Sequence, residues 1–189
     1  MVFRMRPLQP AELFVAIEYS KSPDNPIRTL PTEISVPAPD RLARFVLNCS
    51  RGLIKAVEVA PSQAATVQFI HETVREFLLK ENGLASISRA LATNVAGISY
   101  EILRIACFCC ILMNDMPKEY EHYCEASHKI NAFLDIFRSE MRLKLPFLDY
   151  TISYLFDHAK QAQKHGISQL AFLKNQIDAN GLWLDLHRL

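Results

Sequence analysis

A change of hydrophobic period, entered at Leu53 and left again by Gly83, constrains this chain more than any other feature. The stretch "LIKAVEVA" alternates apolar and polar positions and is rich in β-branched residues, "PSQAA" has the composition of a connection, and "TVQFIH" alternates again. Two alternating runs this close together pair antiparallel, because a parallel crossover needs a dozen or more residues. A β-hairpin is predicted. Beyond it, Ile70, Val74, Phe77 and Leu78 recur at i, i+4, i+7 and i+8, the stripe of an amphipathic helix that Asn82 and Gly83 are expected to end.

Helical periodicity also precedes the hairpin. In "PAELFVAIEYS", Pro10 suits a first helical turn, and Leu13, Ala16 and Ile17 share a face. Pro23, Pro26, Pro31, Pro37 and Pro39 crowd the next stretch, which predicts an irregular connection from Lys21 to Pro39. "PDRLARFVLNCSRG" then carries Leu42, Phe45, Val46 and Cys49 at helical spacing and stops at Gly52. Helix, helix, hairpin and helix make the outline of a winged helix, with the hairpin as the wing, over residues 1–83.

Strand signals fade after Gly83, and residues 84–189 predict a helical bundle. "SYEILRIACFCCILMN" sets Ile102, Ile105, Ala106, Cys109 and Met113 on one face and Leu103, Cys107 and Cys110 on a second, so this helix is expected to be buried over most of its surface. "INAFLDIFRSEM" repeats the logic with Ile130, Phe133, Leu134, Phe137 and Met141. "PFLDYTISYLFDHAKQAQKHG" gives Leu148, Ile152, Leu155, Ala159 and Ala162 and ends at Gly166. Ser168 is placed to cap a last helix whose Leu170, Leu173 and Ile177 are expected to face inward. The fold class is therefore mainly α: a winged-helix-like unit with a small β-hairpin wing, followed by an α-helical bundle.

Composition excludes several functions. Half of the 189 residues are apolar, ample for a sizeable core, while 21 Lys and Arg against 20 Asp and Glu leave a net charge of +1, too little for binding nucleic acid through overall charge. The longest strongly apolar run, Ile105 to Met113, falls far short of the roughly 20 residues that span a bilayer, and "MVFRMRPLQP" has no signal-peptide apolar region. A cytoplasmic chain with no membrane partner is expected. The 5 cysteines form no secreted disulfide pattern and are expected to be reduced thiols.

Few residue clusters suggest chemistry. Cys107, Cys109 and Cys110 lack the three- or four-residue spacing of helical metal ligands and have no matching pair nearby, so they read as structural thiols. In "EHYCEASH", Cys124 and His128 are four apart with His122 close, an incomplete site amid Glu119, Glu121 and Glu125. No Walker phosphate loop, Gly-x-Ser-x-Gly elbow or His-Glu-x-x-His helix occurs, so this chain is not expected to be an enzyme. Arg41, Arg44 and Arg51 on the helix before the wing, with Lys55 on the wing, could contact nucleic acid, but Asp40 opposes them, and Cys49 with the apolar face must be buried.

His71 stands where the second strand ends and the next helix begins. One reading is a corner residue whose ring nitrogen bonds a neighbouring carbonyl. The other is an imidazole aimed out of the domain, since imidazole donates a hydrogen bond to phosphate whether neutral or charged.

The blocks "RPLQPAELFVAI", "SRGLIKAVEV", "VQFIHETVREFLLKENGL", "SYEILRIACFCCI" and "LPFLDYTISYLFDHAKQAQKHGISQLAFL" occur in an order that resembles fungal NACHT-type STAND NTPases, particularly those carrying ankyrin repeats. The resemblance runs from about Arg6 to the C-terminus. In that family a nucleotide-binding NACHT module comes first, a winged helix and a helical segment follow, and ligand-sensing repeats come last. The resemblance implies that this chain is the middle part, without the NACHT module, the first winged-helix helix or the ankyrin repeats. "FIHET" is similar to the family's Met-His-Asp-like motif, with Ile70 at the apolar position, His71 at the histidine that contacts bound nucleotide diphosphate, and Glu72 at the acidic position. The resemblance thus implies a phosphate sensor at His71 that acts only with a NACHT module attached, and no cofactor for this chain alone. ADP or ATP would belong to that module, and the implied partners are the NACHT module, the repeats and other proteins, in signal transduction such as fungal non-self recognition. A charge-assisted bond of about 1.5–3 kcal/mol present in one state alone biases a closed-to-open equilibrium roughly 10- to 150-fold.

Overall fold

A computed structural model describes residues 5–21, 34–58, 64–80, 83–87, 93–113 and 145–178. The described residues are mainly helical with a two-stranded antiparallel sheet: α1 (Pro10–Ser20), α2 (Pro39–Cys49), β1 (Ile54–Val57), β2 (Thr66–Phe69), α3 (Glu72–Lys80), α4 (Gly83–Ile87), α5 (Val95–Met113), α6 (Leu148–Lys164) and α7 (Leu170–Asp178). The described residues contain no helix long and apolar enough to cross a membrane. The stripe expected over Ile130 to Met141 and the Cys124 and His128 pair lie outside the described residues.

Helix α1 starts as its sequence predicts, with Pro10 in the first turn. Glu12 reaches back to accept a bond from the Gln9 backbone N–H at 2.7 Å, satisfying a donor that no helical carbonyl can reach. Glu12 is only 2% exposed, and its charge is matched by Arg6, which donates at 2.8 and 2.6 Å. The Arg6 guanidinium in turn lies 5.0 Å from the centre of the Tyr150 ring on α6. The first turn of α1 is thereby tied to a helix far along the chain.

Helix α2 packs on α1 through an edge-to-face pair, Phe14 and Phe45, with ring centres 5.0 Å apart. Leu42 and Val46 are buried, but Cys49 is exposed, contrary to the expectation that it goes inside with them. Cys49 occupies the last helical position, and its thiol donates back to Val46 O at 3.3 Å. The helix closes with Arg51 N–H donating to Asn48 O and Gly52 N–H to Leu47 O, and both residues hold positive φ, 53° and 82°.

The predicted hairpin forms, with Ile54 opposite Phe69 and Ala56 opposite Val67 on one face, and Lys55 opposite Gln68 and Val57 opposite Thr66 on the other. Alternation buries Ile54 and Val67 while exposing Lys55. Leu8 O accepts from Val67 N–H at 2.8 Å, so the segment entering α1 covers part of the free edge of β2.

Helix α3 departs from its predicted stripe. Leu78 is buried, yet Ile70 is 44% and Phe77 45% exposed, because α3 touches chiefly the hairpin and the short α4 rather than the main core. Helix α3 is described to Lys80, Asn82 lies outside the described residues, and Gly83, expected with it to end the helix, opens α4. Its missing side chain matters for another reason. A Cβ there would lie 2.6 Å from Phe77 Cε1.

Helices α5 and α6 make the most extensive contact of the structure. They run antiparallel, since Asn94, before the start of α5, donates to His165 O just past the end of α6 at 2.8 Å, and Tyr100 stacks on His165. Leu103, Ala106, Cys107, Cys109 and Cys110 are buried, as the two apolar faces of α5 predict, whereas Ile102 and Ile105 are half-buried and Ile111, on neither face, is buried too. Helix α6 closes as α2 does, here with Gly166 at φ 81°. Helix α7 turns a different face inward from the one predicted: Leu170 and Leu173 are 61% and 45% exposed, while Phe172 is buried against Phe108 and Phe156. The aromatic slot and the Arg104 guanidinium, 4.6 Å from the Phe172 ring centre, decide that rotation. The Ile177 side chain lies outside the described ones. One buried cluster joins Leu8, Val46, Ile54 and Val67 to Leu103, Cys107, Leu155 and Phe172, on both sides of position 83.

Candidate functional site at the His71 corner

Strand β2 ends at Phe69, and one further bond, Ile70 N–H to Leu53 O at 3.1 Å, fixes where the chain leaves the hairpin. His71 then caps α3. Its carbonyl accepts from Val74 N–H at 3.2 Å and Arg75 N–H at 3.4 Å, and its ring Nδ1 accepts from Thr73 N–H at 3.2 Å. The Thr73 hydroxyl lies 2.8 Å from the same nitrogen. The ring therefore satisfies a donor of the first turn, a task usually given to Ser, Thr, Asp or Asn. The bland corner reading is corrected in its partner: the ring bonds an amide N–H rather than a carbonyl.

That bond fixes the tautomer. A nitrogen that accepts carries no proton, so the neutral ring holds its proton on Nε2. His71 is exposed, and Nε2 has no partner among the described residues, so the corner presents one N–H donor to solvent. Exposed Ile70 lies beside it, and Glu72 is bound to Arg75 at 2.6 Å in an exposed pair. The carboxylate is thus turned along its own helix.

The other candidate residues lie apart from this corner. Arg41, Arg44, Arg51 and Lys55 are exposed on α2, its closing turn and β1, with no ion pair among the described residues. Burial pushes the Cys107 thiol far up, the Cys109 thiol to about 11 and the Cys110 thiol to about 12; the Thr151 hydroxyl opposes this at Cys107 and Cys110. These are inert thiols at neutral pH. No group of three or more His, Cys, Asp or Glu side chains that could hold a metal exists among the described residues.

One polar cluster escaped the sequence reading. His158 is fully buried in α6, with Nε2 2.9 Å from the Tyr150 hydroxyl and Nδ1 without a hydrogen bond. Burial lowers its pKa to about 4, so it stays neutral at physiological pH. Tyr150 and His158 are eight apart in "YTISYLFDH", two helical turns and more, a spacing that puts both on one face. Attention to polar residues interleaved with the stripe Leu148, Ile152 and Leu155 would have found the pair. Sealed from solvent, it serves the core.

No protein-family model matches the chain, and neither a curated protein nor a solved structure matches it significantly.

Proposed function

We propose that this chain is the regulatory and linking segment of a NACHT-like STAND NTPase, coupling nucleotide state to ligand-sensing repeats in the cytoplasm without catalysing hydrolysis itself. The observation that carries the reading is the His71 corner: Nδ1 is held by Thr73 N–H, which leaves an oriented Nε2–H donor facing out of the fold. A phosphate oxygen of ADP held by an adjoining NACHT module would accept that bond. The donor needs no rearrangement, because the cap already fixes the ring. Opening of the two modules breaks the bond, and the nucleotide-bound state is favoured while it lasts.

Joining the segment to its natural upstream module and measuring ADP retention tests the proposal. His71→Asp retains a side-chain acceptor for Thr73 N–H but has no donor for phosphate, whereas His71→Ala removes both. The expected outcome is accelerated ADP release in both variants and a lowered melting temperature in His71→Ala only. Unchanged release from His71→Asp would sink the sensor role.

A further inference from the structure

Ion pairing divides the described arginines sharply. Arg6, Arg75 and Arg104 are bound to Glu12, Glu72 and Glu101. Arg41, Arg44 and Arg51 are exposed without an ion pair among the described residues, and all three belong to α2 and its closing turn. Leu47, 47% exposed, lies one helical turn beyond Arg44 on α2, and Arg51 follows in the closing turn.

The closing turn adds a second, independent observation. Helices α2 and α6 end with the same two bonds: Arg51 N–H to Asn48 O with Gly52 N–H to Leu47 O, and Gly166 N–H to Gln163 O with Ile167 N–H to Ala162 O. At the left-handed position α6 has Gly166 at φ 81°, whereas α2 has Arg51 at φ 53° and defers its glycine by one residue. A side chain at positive φ is strained, and glycine there would relieve the strain. Arg51 makes no ion pair among the described residues that would offset the strain. Strain kept at an exposed, unpaired cation points to use by a ligand.

We infer that the Arg44, Leu47 and Arg51 face of α2 docks an acidic protein segment in which two carboxylates flank one apolar side chain. Leu47 falls between Arg44 and Arg51 along the chain, an order that a segment with one apolar side chain between two carboxylates complements. Guanidinium groups bind carboxylates through paired N–H donors. Leu47, which has nothing to offer a phosphate backbone, supplies the apolar contact at the centre. Asp40, also exposed on α2, and a net charge of only +1 for the whole chain disfavour a long polyanion. The face lies on a different element from the His71 corner, so the inference stands or falls without the nucleotide-sensor reading.

The test pans a display library of short random peptides against the full chain and measures the enriched peptides, fluorescently labelled, by anisotropy. The expected pool carries Asp or Glu on both sides of Leu, Ile, Val or Phe. Its members bind Arg51→Gly and Arg44→Gln about fivefold more weakly each, and Leu47→Ser also weakens them. Lys160→Gln, which removes an exposed cation on α6, leaves binding unchanged. Melting temperature is read in parallel, and Arg51→Gly is expected to hold it, so weaker binding cannot be ascribed to unfolding. No acidic pool, a pool that binds wild type and Arg51→Gly alike, or binding to a labelled oligonucleotide in place of peptide would overturn the inference.

Discussion

His71, His158 and Glu12 each show how burial and one partner decide what a polar side chain does. His71 is exposed and bonded through one nitrogen, leaving the other available. His158 is sealed, bonded to Tyr150 through Nε2 and unable to satisfy Nδ1. Its folded pKa of about 4 lies below the ordinary value of 6.5, so between those values the unfolded chain binds the extra proton. Stability contributed by neutral His158 is thus fully present above about pH 6.5 and is lost as pH falls toward 4, to the extent of about 3 kcal/mol. Replacing the pair together, as Tyr150→Phe with His158→Phe, leaves no orphaned donor or acceptor. Thermal melts of that variant from pH 7 to 4 are expected to show a distinctly shallower decline than wild type, and parallel declines would refute the assignment.

Glu12 makes the opposite case, a buried charge with every neighbour in place. Arg6 is about one-third exposed and Glu12 almost wholly buried, so the two partners are not equivalent. Arg6→Ala strands a buried carboxylate and is expected to cost about 3 kcal/mol or more. Glu12→Gln frees a guanidinium that water can reach, and its cost should be smaller, about 1–2 kcal/mol. Urea unfolding of both variants checks the order, and a larger loss in Glu12→Gln would contradict it.

At the scale of elements, local sequence was a good guide to where helices and strands lie and a poorer guide to which way they face. The alternation in "LIKAVEVA" and "TVQFIH" gives β1 and β2, and "PAELFVAIEYS" gives α1, because period and end signals are local properties. Facing depends on neighbours. The α3 stripe is genuinely amphipathic, but Ile70 and Phe77 meet little beyond the hairpin and α4. In α7, Phe172 wins the inward position over Leu170 and Leu173 because Phe108 and Phe156 offer it an aromatic slot.

The two matched helix ends also yield a prediction. Gly166→Ala forces a Cβ into the left-handed region and is expected to cost about 1–2 kcal/mol, although the space around it is open. Arg51→Gly at the equivalent position of α2 is expected to be neutral or mildly stabilising. Chemical denaturation of the two variants measures the contrast, and equal losses would remove the claim that Arg51 is strained.

For the molecule as a whole, the deciding feature is a buried cluster of described residues that spans position 83. Helix α1 packs on α5, Leu8 bonds the edge of β2, and Arg6 lies over Tyr150, so the hairpin side and the α5–α6 side bury one another. A fragment of residues 84–189 should therefore expose the apolar surface that α1 covers and show weak near-UV circular dichroism. The full chain should melt in one transition by near-UV and far-UV signals alike. Native near-UV intensity from the fragment alone would argue for two independent units.

The His71 corner was legible as a position and not as a geometry. Sequence placed the histidine between strand and helix, but the acceptor role of Nδ1, and hence the outward Nε2–H, depends on the angle at which α3 leaves the hairpin. The Tyr150 and His158 pair was within reach of helical spacing, whereas the Arg6 contact with Tyr150 joins residues 144 positions apart and has no local signal. By itself, the sequence determined the mainly helical class, the hairpin, and the buried nature of "RIACFCC", because these follow from the spacing of apolar side chains. Tertiary structure alone decided which arcs of α3 and α7 are covered, which charges are paired, and which ring nitrogen of each histidine remains free. Those outcomes are set by what lies a few ångströms away across the fold, and distance along the chain does not encode that.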